Sequence, residues 1–207
     1  MTYLSHHVPQ TAQLLLQHIE LVAAGLALAL IVALPLGFFA ARKAALATPI
    51  FGSAGVIYTI PSLALLALAV KYLGLGFWPL VLVLAAYAQF ILIRAAATAL
   101  QSVPAAQLDA ATGLGMSPTQ RLLRIEIPLA MPVFLGGLRL ATVASIAIAT
   151  LGGYVGAGGL GDDIFFGLQR QYLDQTLAGS IPAALLAIAA DALLRLMERA
   201  YARRITA

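Results

Sequence analysis

Five stretches of about twenty nearly uncharged residues constrain this chain more than anything else in it. Residues 20–41, 50–70, 79–100, 133–154 and 176–197 are mostly Leu, Ala, Val, Ile and Gly; apart from Glu20 at one edge, their charges are Arg94, Arg139, Asp191 and Arg195. About 20 apolar residues in a helix cross the roughly 30 Å hydrocarbon core of a bilayer. With 62% hydrophobic residues, 10% charged residues and a mean hydropathy of +0.96, the chain carries far less charge than the roughly one quarter usual in a soluble domain. The expected fold is all-α and integral to the membrane, with the 207 residues forming one domain. Pro61 interrupts the second stretch, and Pro35 with Gly37 marks a kink near the end of the first. Such breaks are tolerated in a membrane where neighbouring helices satisfy the freed backbone.

Composition narrows the chemistry further. There is no cysteine, so disulfides and thiolate metal sites are excluded. The net charge of +4 reads as arginines flanking spans rather than as a nucleic-acid surface. His6, His7 and His18 have no ligand spacing and read as solvated histidines, with Thr11–His18 as a short helix on the membrane surface. Residues 1–18 lack a basic start and an A-x-A cleavage site, so no secretory signal is expected there.

Five crossings put the termini on opposite sides. One side would hold Arg42, Lys43, Arg94, Arg121, Arg124 and the arginines at 195, 199, 203 and 204; the other would hold Lys71 and Arg170. The rule that positive loops stay inside makes the first side cytoplasmic and the N-terminus external.

The longest stretch unable to enter lipid is residues 102–132, SVPAAQLDAATGLGMSPTQRLLRIEIPLAMP, with Asp109, Arg121, Arg124 and Glu126. Pro104 can open a helix, while Gly113 and Gly115 can end it. Ser117-Pro118-Thr119-Gln120 has the form of a capping box starting a second helix, which is expected to end near Pro128. Asp109-Ala110-Ala111, three residues, Gly115, nine residues and Ile125-Glu126-Ile127-Pro128 follow in order. This spacing resembles the EAA loop of ABC-importer permeases, E-A-A-x3-G-x9-I-x-L-P, with Asp109 in place of Glu and Ile127 in place of Leu. The resemblance implies a coupling helix that docks into a cytosolic ATPase dimer, carried here by Ala105, Leu108, Asp109, Ala110, Ala111, Leu114, Gly115, Ile125 and Pro128. Leu108, Ala111 and Leu114, three apart, are expected to form the docking face.

Two further segments resemble permeases for glycine betaine, choline and related quaternary amines: Ile57-Tyr58-Thr59-Ile60-Pro61-Ser62-Leu63-Ala64-Leu65-Leu66, and Gly156 to Gly161 followed by Asp162-Asp163-Ile164. The resemblance as a whole spans residues 20–200. It implies a type I ABC-importer permease core of five helices in a bacterial or archaeal inner membrane, paired with a second copy or a related permease. An extracytoplasmic binding protein would supply substrate affinity, lipid would surround the chain, and nucleic acid has no part. ATP-Mg would belong to the ATPase; no catalytic residue, cofactor or metal is expected in this chain. Another small solute, such as an amino acid or a sulfur-containing betaine, is the alternative cargo.

From the residues themselves, Tyr58, Pro61, Ser62, Tyr87 and Tyr154 are candidates for the translocation path, because aromatic faces attract a trimethylammonium group. A proline in mid-span also leaves a carbonyl in need of a partner. The GAGGLG run has neither a preceding strand nor a following Lys-Ser/Thr, so it reads as an outer bend rather than a phosphate loop. An ion-coupled secondary transporter would need several intramembrane acids or inverted repeats. Asp191 alone does not supply them. Asp191 and Arg139 lie at similar depths, about 12 and 10 Å from the cytosolic edge at ~1.5 Å per residue, and are expected to pair between the fourth and fifth spans.

Overall fold

A seam of small residues sets the architecture. The structure is a computed structural model describing residues 3 and 6–206, with side chains as far as Arg203; the Arg204 side chain lies outside the described residues. Helix α1, Val8–Arg42, buries Gly25, Ala29, Ala33 and Gly37, one every fourth position. Against this seam lies α4, Phe77–Gln101. A Cβ added to Gly25 would stand 2.7 Å from the Leu84 Cβ, and one on Gly37 would stand 3.0 Å from the Ile93 carbonyl oxygen. Lipid tails are as apolar as leucine, so helices in a bilayer gain little by hiding apolar surface from each other. Close approach of backbones supplies the attraction instead, and small residues permit it.

Residue 25 meets residue 84 and residue 37 meets residue 93, so α1 and α4 run parallel. The chain must therefore recross the bundle between them. Helices α2, Ala44–Thr59, and α3, Ser62–Leu73, make that return with a 91° bend at Pro61. Among the described residues four helical runs are long and apolar enough to cross a membrane alone, and the bent pair is the fifth. Ile60 and Pro61 are extended at the bend, and the Tyr87 hydroxyl donates to the Ile60 carbonyl, giving that exposed backbone group a partner.

After α4 come α5, Ala105–Gly113, and α6, Pro118–Arg121. A π-helical turn, Leu122–Glu126, then leads directly into α7, Ile127–Ala149. The second loop helix thus does not end at Pro128 as expected; one run continues from Pro118 to Ala149. The wide turn is the reason. Ile127 bonds back to the Leu122 carbonyl, five residues away, so Pro128 falls in the first turn of α7, where a missing N–H costs least.

Helix α7 packs antiparallel to α4, with Gly137 on Ala95 and, just past the end of α7, Gly152 on Leu80. The stretch expected as a glycine-rich loop holds two short helices, α8, Gly152–Val155, and α9, Gly161–Gln169. The last helix, α10, Leu173–Thr206, returns along α7. The N-terminus of α1 and the C-terminus of α10 lie at opposite ends of the bundle.

The start of α1 corrects another expectation. Thr11–His18 is no separate surface helix but the beginning of the first long one. His18 is buried, its Nε2 3.1 Å from the Ile146 carbonyl oxygen, and Gly159 closes over its Nδ1. A continuous helix carries the ring inside, between α7 and the glycine turn.

Candidate coupling loop and translocation face

The loop is shaped by its two glycines and its capping box. Leu114 N–H bonds to Ala110 and Met116 N–H to Ala111, closing α5 around Gly115 at a φ of +75°. Only glycine takes that left-handed conformation without strain, a physical reason for the glycine of the motif. Ser117 Oγ accepts from the Gln120 N–H at 3.3 Å, and Gln120 Oε1 accepts from the Ser117 N–H at 2.9 Å, which completes the box.

The fold brings the two halves of the motif together. Ala110, Ala111 and Leu114 from α5 face Ile125 and Pro128 across a groove of about 410 Å³ that Arg124 also lines. Ala105, Asp109 and Ala110 are exposed. The expected docking face, however, does not form. Ala111 is 3% exposed, and Leu108 packs against Ala99, Val103 and Ala130 of the chain itself, whereas Leu114 is 79% exposed. Positions 108 and 111 fix the loop to its own bundle, and of the three only position 114 points outward.

Beneath the loop lies a group that motif reading passed over. Glu126 is 1% exposed, takes a bond from Arg42 Nη2 at the end of α1, and takes another from Arg121 Nε at 3.0 Å. Arg121 Nη1 also reaches Thr112 Oγ1 at 3.3 Å. Glu126 occupies the variable position of I-x-L-P, so spacing drew attention to its neighbours instead.

At the bent crossing the Tyr58 ring stacks on Phe90, with centroids 4.7 Å apart, and lies 5.7 Å from Tyr87. The Arg94 guanidinium covers Phe90 at 4.8 Å and Phe51 at 5.2 Å. Tyr58 is 41% exposed, and exposed Pro61 and half-buried Ser62 follow it at the bend. Tyr154 is elsewhere. Its ring packs on Phe165, and Val155 beside it accepts from the Gly76 N–H at the opening of α4. Eleven residues on, Tyr87 is about 16 Å further along α4.

Arg139 Nε stands 3.0 Å from Asp191 Oδ1, and its Nη1 stands 3.1 Å from Glu198 Oε2. Asp191 also holds Arg195, four residues along the same helix, at 2.8 Å, so two arginines engage it together. Glu198, two turns past Asp191 on the same face, was a signal left unused. These groups are about a third exposed, which keeps each bond near 1 kcal/mol. Asp191→Asn should lower the unfolding temperature in detergent by about 2–4 °C, and adding Glu198→Gln should lower it further by stripping Arg139 of both carboxylates. Unchanged melting of the double variant would show that the cluster adds no stability.

At the end of the bundle opposite the loop, Asp163 is buried and accepts from Gln175 Nε2 at 3.2 Å and from the Tyr3 hydroxyl at 3.3 Å. Burial, and then the Asp163 carboxylate, raise the pKa of Asp162. The GAGGLG bend is held rather than slack: Gly159 N–H donates to Gln17 Oε1 at 3.1 Å.

Residues 33–207 match the family described as binding-protein-dependent transport system inner membrane component. The chain belongs to that family. It is a multi-pass inner-membrane protein, the permease subunit of an ABC importer, and permease subunits of this family are not themselves enzymes. The permease is 37% identical over 201 residues to the osmoprotectant import permease protein OsmW of Salmonella typhimurium, covering 95% of this chain and 94% of that one. It is 41% identical over 184 residues to the carnitine transport permease protein OpuCD of Listeria monocytogenes, covering 88% and 82%. Identity to the choline transport system permease protein OpuBB of Bacillus subtilis is 36% over 183 residues, covering 88% and 84%. In fold it is similar to the inward-facing MetNI methionine ABC transporter, with a TM-score of 0.78 at 19% identity over 89% of this permease and 93% of that chain. It is also similar to an amino acid ABC transporter solved with histidines, with a TM-score of 0.67 at 20% identity over 96% and 97%. These two likenesses carry the fold alone.

Proposed function

We propose that this permease carries quaternary-amine osmoprotectants, of the class of glycine betaine, choline and carnitine, inward across the membrane. The observation that carries the reading is the near full-length similarity to permeases for osmoprotectants, carnitine and choline. The exposed Tyr58 ring, stacked on Phe90 and near Tyr87 at the broken crossing, supports it by offering an aromatic face to a cation in passage.

The N-terminus is external, and the loop from Ala105 to Gly115 faces the cytosol, on the side that gathers Arg42, Arg121, Arg124, Arg195 and Arg199. There a cytosolic ATPase dimer holding ATP-Mg docks on the loop and biases inward-facing against outward-facing arrangements. A second permease copy or a related permease completes the path, and an external binding protein delivers the solute. Ala110, Ala111, Leu114, Ile125 and Pro128 line the cytosolic groove, with Asp109 exposed beside it and Gly115 turning the chain; Tyr58, Pro61, Ser62 and Tyr87 border the path.

The test is uptake into proteoliposomes holding the permease with its ATPase and binding protein. Labelled glycine betaine, choline or carnitine should accumulate only with ATP on the ATPase side and with binding protein on the other. A binding protein that prefers a sugar in calorimetry would sink the substrate class. Accumulation driven by an ion gradient without ATP would sink the ATP-coupled reading.

A further inference from the structure

Glu126 is the most completely buried acid near the cytosolic end of the bundle, and its two cations come from different parts of the chain. Arg42 is the last residue of α1. Arg121 belongs to the loop and is tied onward to Thr112 on α5. The ion bond to Arg42 is, among the described residues, the only hydrogen bond or ion pair between α1 and the segment from Ala105 to Glu126. The carboxylate therefore forms a polar connection running from α5 through Arg121 and Glu126 to the end of the first span.

The surroundings distinguish a joint from a brace. Beside the triad lies an apolar cleft of about 260 Å³, bordered by Leu34 and Phe38 of α1, Leu100 of α4, and Leu122, Ile127 and Met131 beyond the loop. Here α1 and α7 face each other across an open apolar cleft, whereas nearer the middle of the bundle Ala29 and Ala33 pack in one cluster with Leu138 and Ala141. The ion triad bridges that gap. Its acid sits at the end of the π turn, and one extra residue in a turn rotates the remainder of the helix by roughly 100°. Turns of this kind are frequent at functional positions in helices.

We propose that Glu126 is a positioning residue that transmits movement of the coupling loop to α1 through Arg121 and Arg42. The inference rests on the ATP-coupled permease reading and goes beyond it, by naming the connection between the docking element and the first span. A carboxylate gripped from two sides moves both guanidinium-bearing segments together. Neutralised, it leaves two cations that repel, and the loop shifts without drawing α1 along.

The test uses the complete complex of permease, ATPase and binding protein in proteoliposomes, with glycine betaine as the transported probe. Glu126→Gln, nearly the same shape, should leave co-purification of the ATPase near wild type. It should lower the unfolding temperature by some degrees without unfolding the permease at the assay temperature, because Arg42 and Arg121 are each about a third exposed and keep access to water. Substrate moved per ATP hydrolysed should fall by about tenfold, a coupling loss of ordinary size. Arg42→Gln should do the same, and the double variant should be no worse than either single one, because both changes cut one connection. An unchanged ratio of transport to hydrolysis in both single variants would overturn the proposal. So would a fall in transport accompanied by loss of the ATPase or by unfolding of the permease at the assay temperature, which marks a brace. If wild-type complex shows no ATP-driven uptake, it is the permease reading that fails; if wild type works and the variants remain coupled, only the joint fails.

Discussion

Gly161→Ala should remove most of the folded permease from the membrane. A Cβ there would meet the Thr150 carbonyl oxygen, with the carbonyl carbon at 2.8 Å and the Gly153 amide nitrogen at 3.0 Å. All of these atoms are backbone, and they belong to the end of α7 and to α8. No rotamer change can relieve the clash, so the helices must separate or α9 must shift. Overpacking of this kind costs roughly 1–3 kcal/mol where side chains yield, and rigid backbone on the other side puts Gly161 at or above the upper figure. Two controls isolate the cause. Gly156→Ala has open space but a φ of +64°, and should lose about 1–2 kcal/mol from the left-handed backbone alone. Gly113→Ala, with open space and no positive φ, should stay within about 0.5 kcal/mol of wild type. Size-exclusion monodispersity and melting temperature in detergent report all three. Wild-type melting of Gly161→Ala would mean that α8 and α9 do not pack as described.

Leu114→Asp should abolish transport and leave the permease itself intact. The side chain is 79% exposed at the end of α5 and touches little of its own chain. Where an apolar residue is a hot spot of an interface, its loss costs about 2 kcal/mol or more, about thirtyfold in affinity, and a carboxylate in its place adds a desolvation penalty. The ATPase should therefore fail to co-purify, with melting of the permease alone unchanged. Retention of the ATPase at wild-type yield would remove Leu114 from the docking surface. Ala111→Arg is a poorer probe: at 3% exposed, the new side chain would lever α5 off the bundle and confuse docking with folding.

That contrast shows what could be read from the residues and what could not. The apolar stretches and the alternation of charge between them were enough for an all-helical membrane bundle, because twenty uncharged residues in a row have few other fates. The motif spacing located the loop. The inward face of α5 was not legible, since Ala105, Ala106, Ala110 and Ala111 surround it with small residues and leave no apolar stripe. Three-residue spacing placed Leu108, Ala111 and Leu114 together, but the packing of Leu108 on Ala99 and Ala130 decided which side is covered. The continuous helix through Pro128 was hidden for a different reason. A proline ends an α-helix by rule, and the π turn that lets it pass depends on tertiary contacts around Glu126. His18 misled through its neighbours: in a polar N-terminal stretch it reads as solvated, yet its ring lies between Ile146 and Gly159, residues over a hundred positions away. The Arg139–Asp191 bond is anticipated from equal depth, whereas Glu198 falls one residue beyond the expected end of the span at Met197, and the helix continues through it.

The parallel pairing of α1 with α4 also sets a timetable for synthesis. A chain made from its N-terminus delivers α1 to the bilayer first, with the seam at Gly25, Ala29, Ala33 and Gly37 facing lipid and no backbone to approach it. Helices α2 and α3 cannot fill the seam, because they are occupied in returning the chain so that α4 can enter in the same direction as α1. The seam closes only when Leu84 and Ile93 have left the ribosome and crossed. Arg42 waits longer still, since its carboxylate lies 84 residues onward. An arrest after Leu73 would leave three inserted helices without their principal contact. The nascent permease is thus most exposed to membrane proteases and to wrong helix partners in the interval between its third and fourth helices.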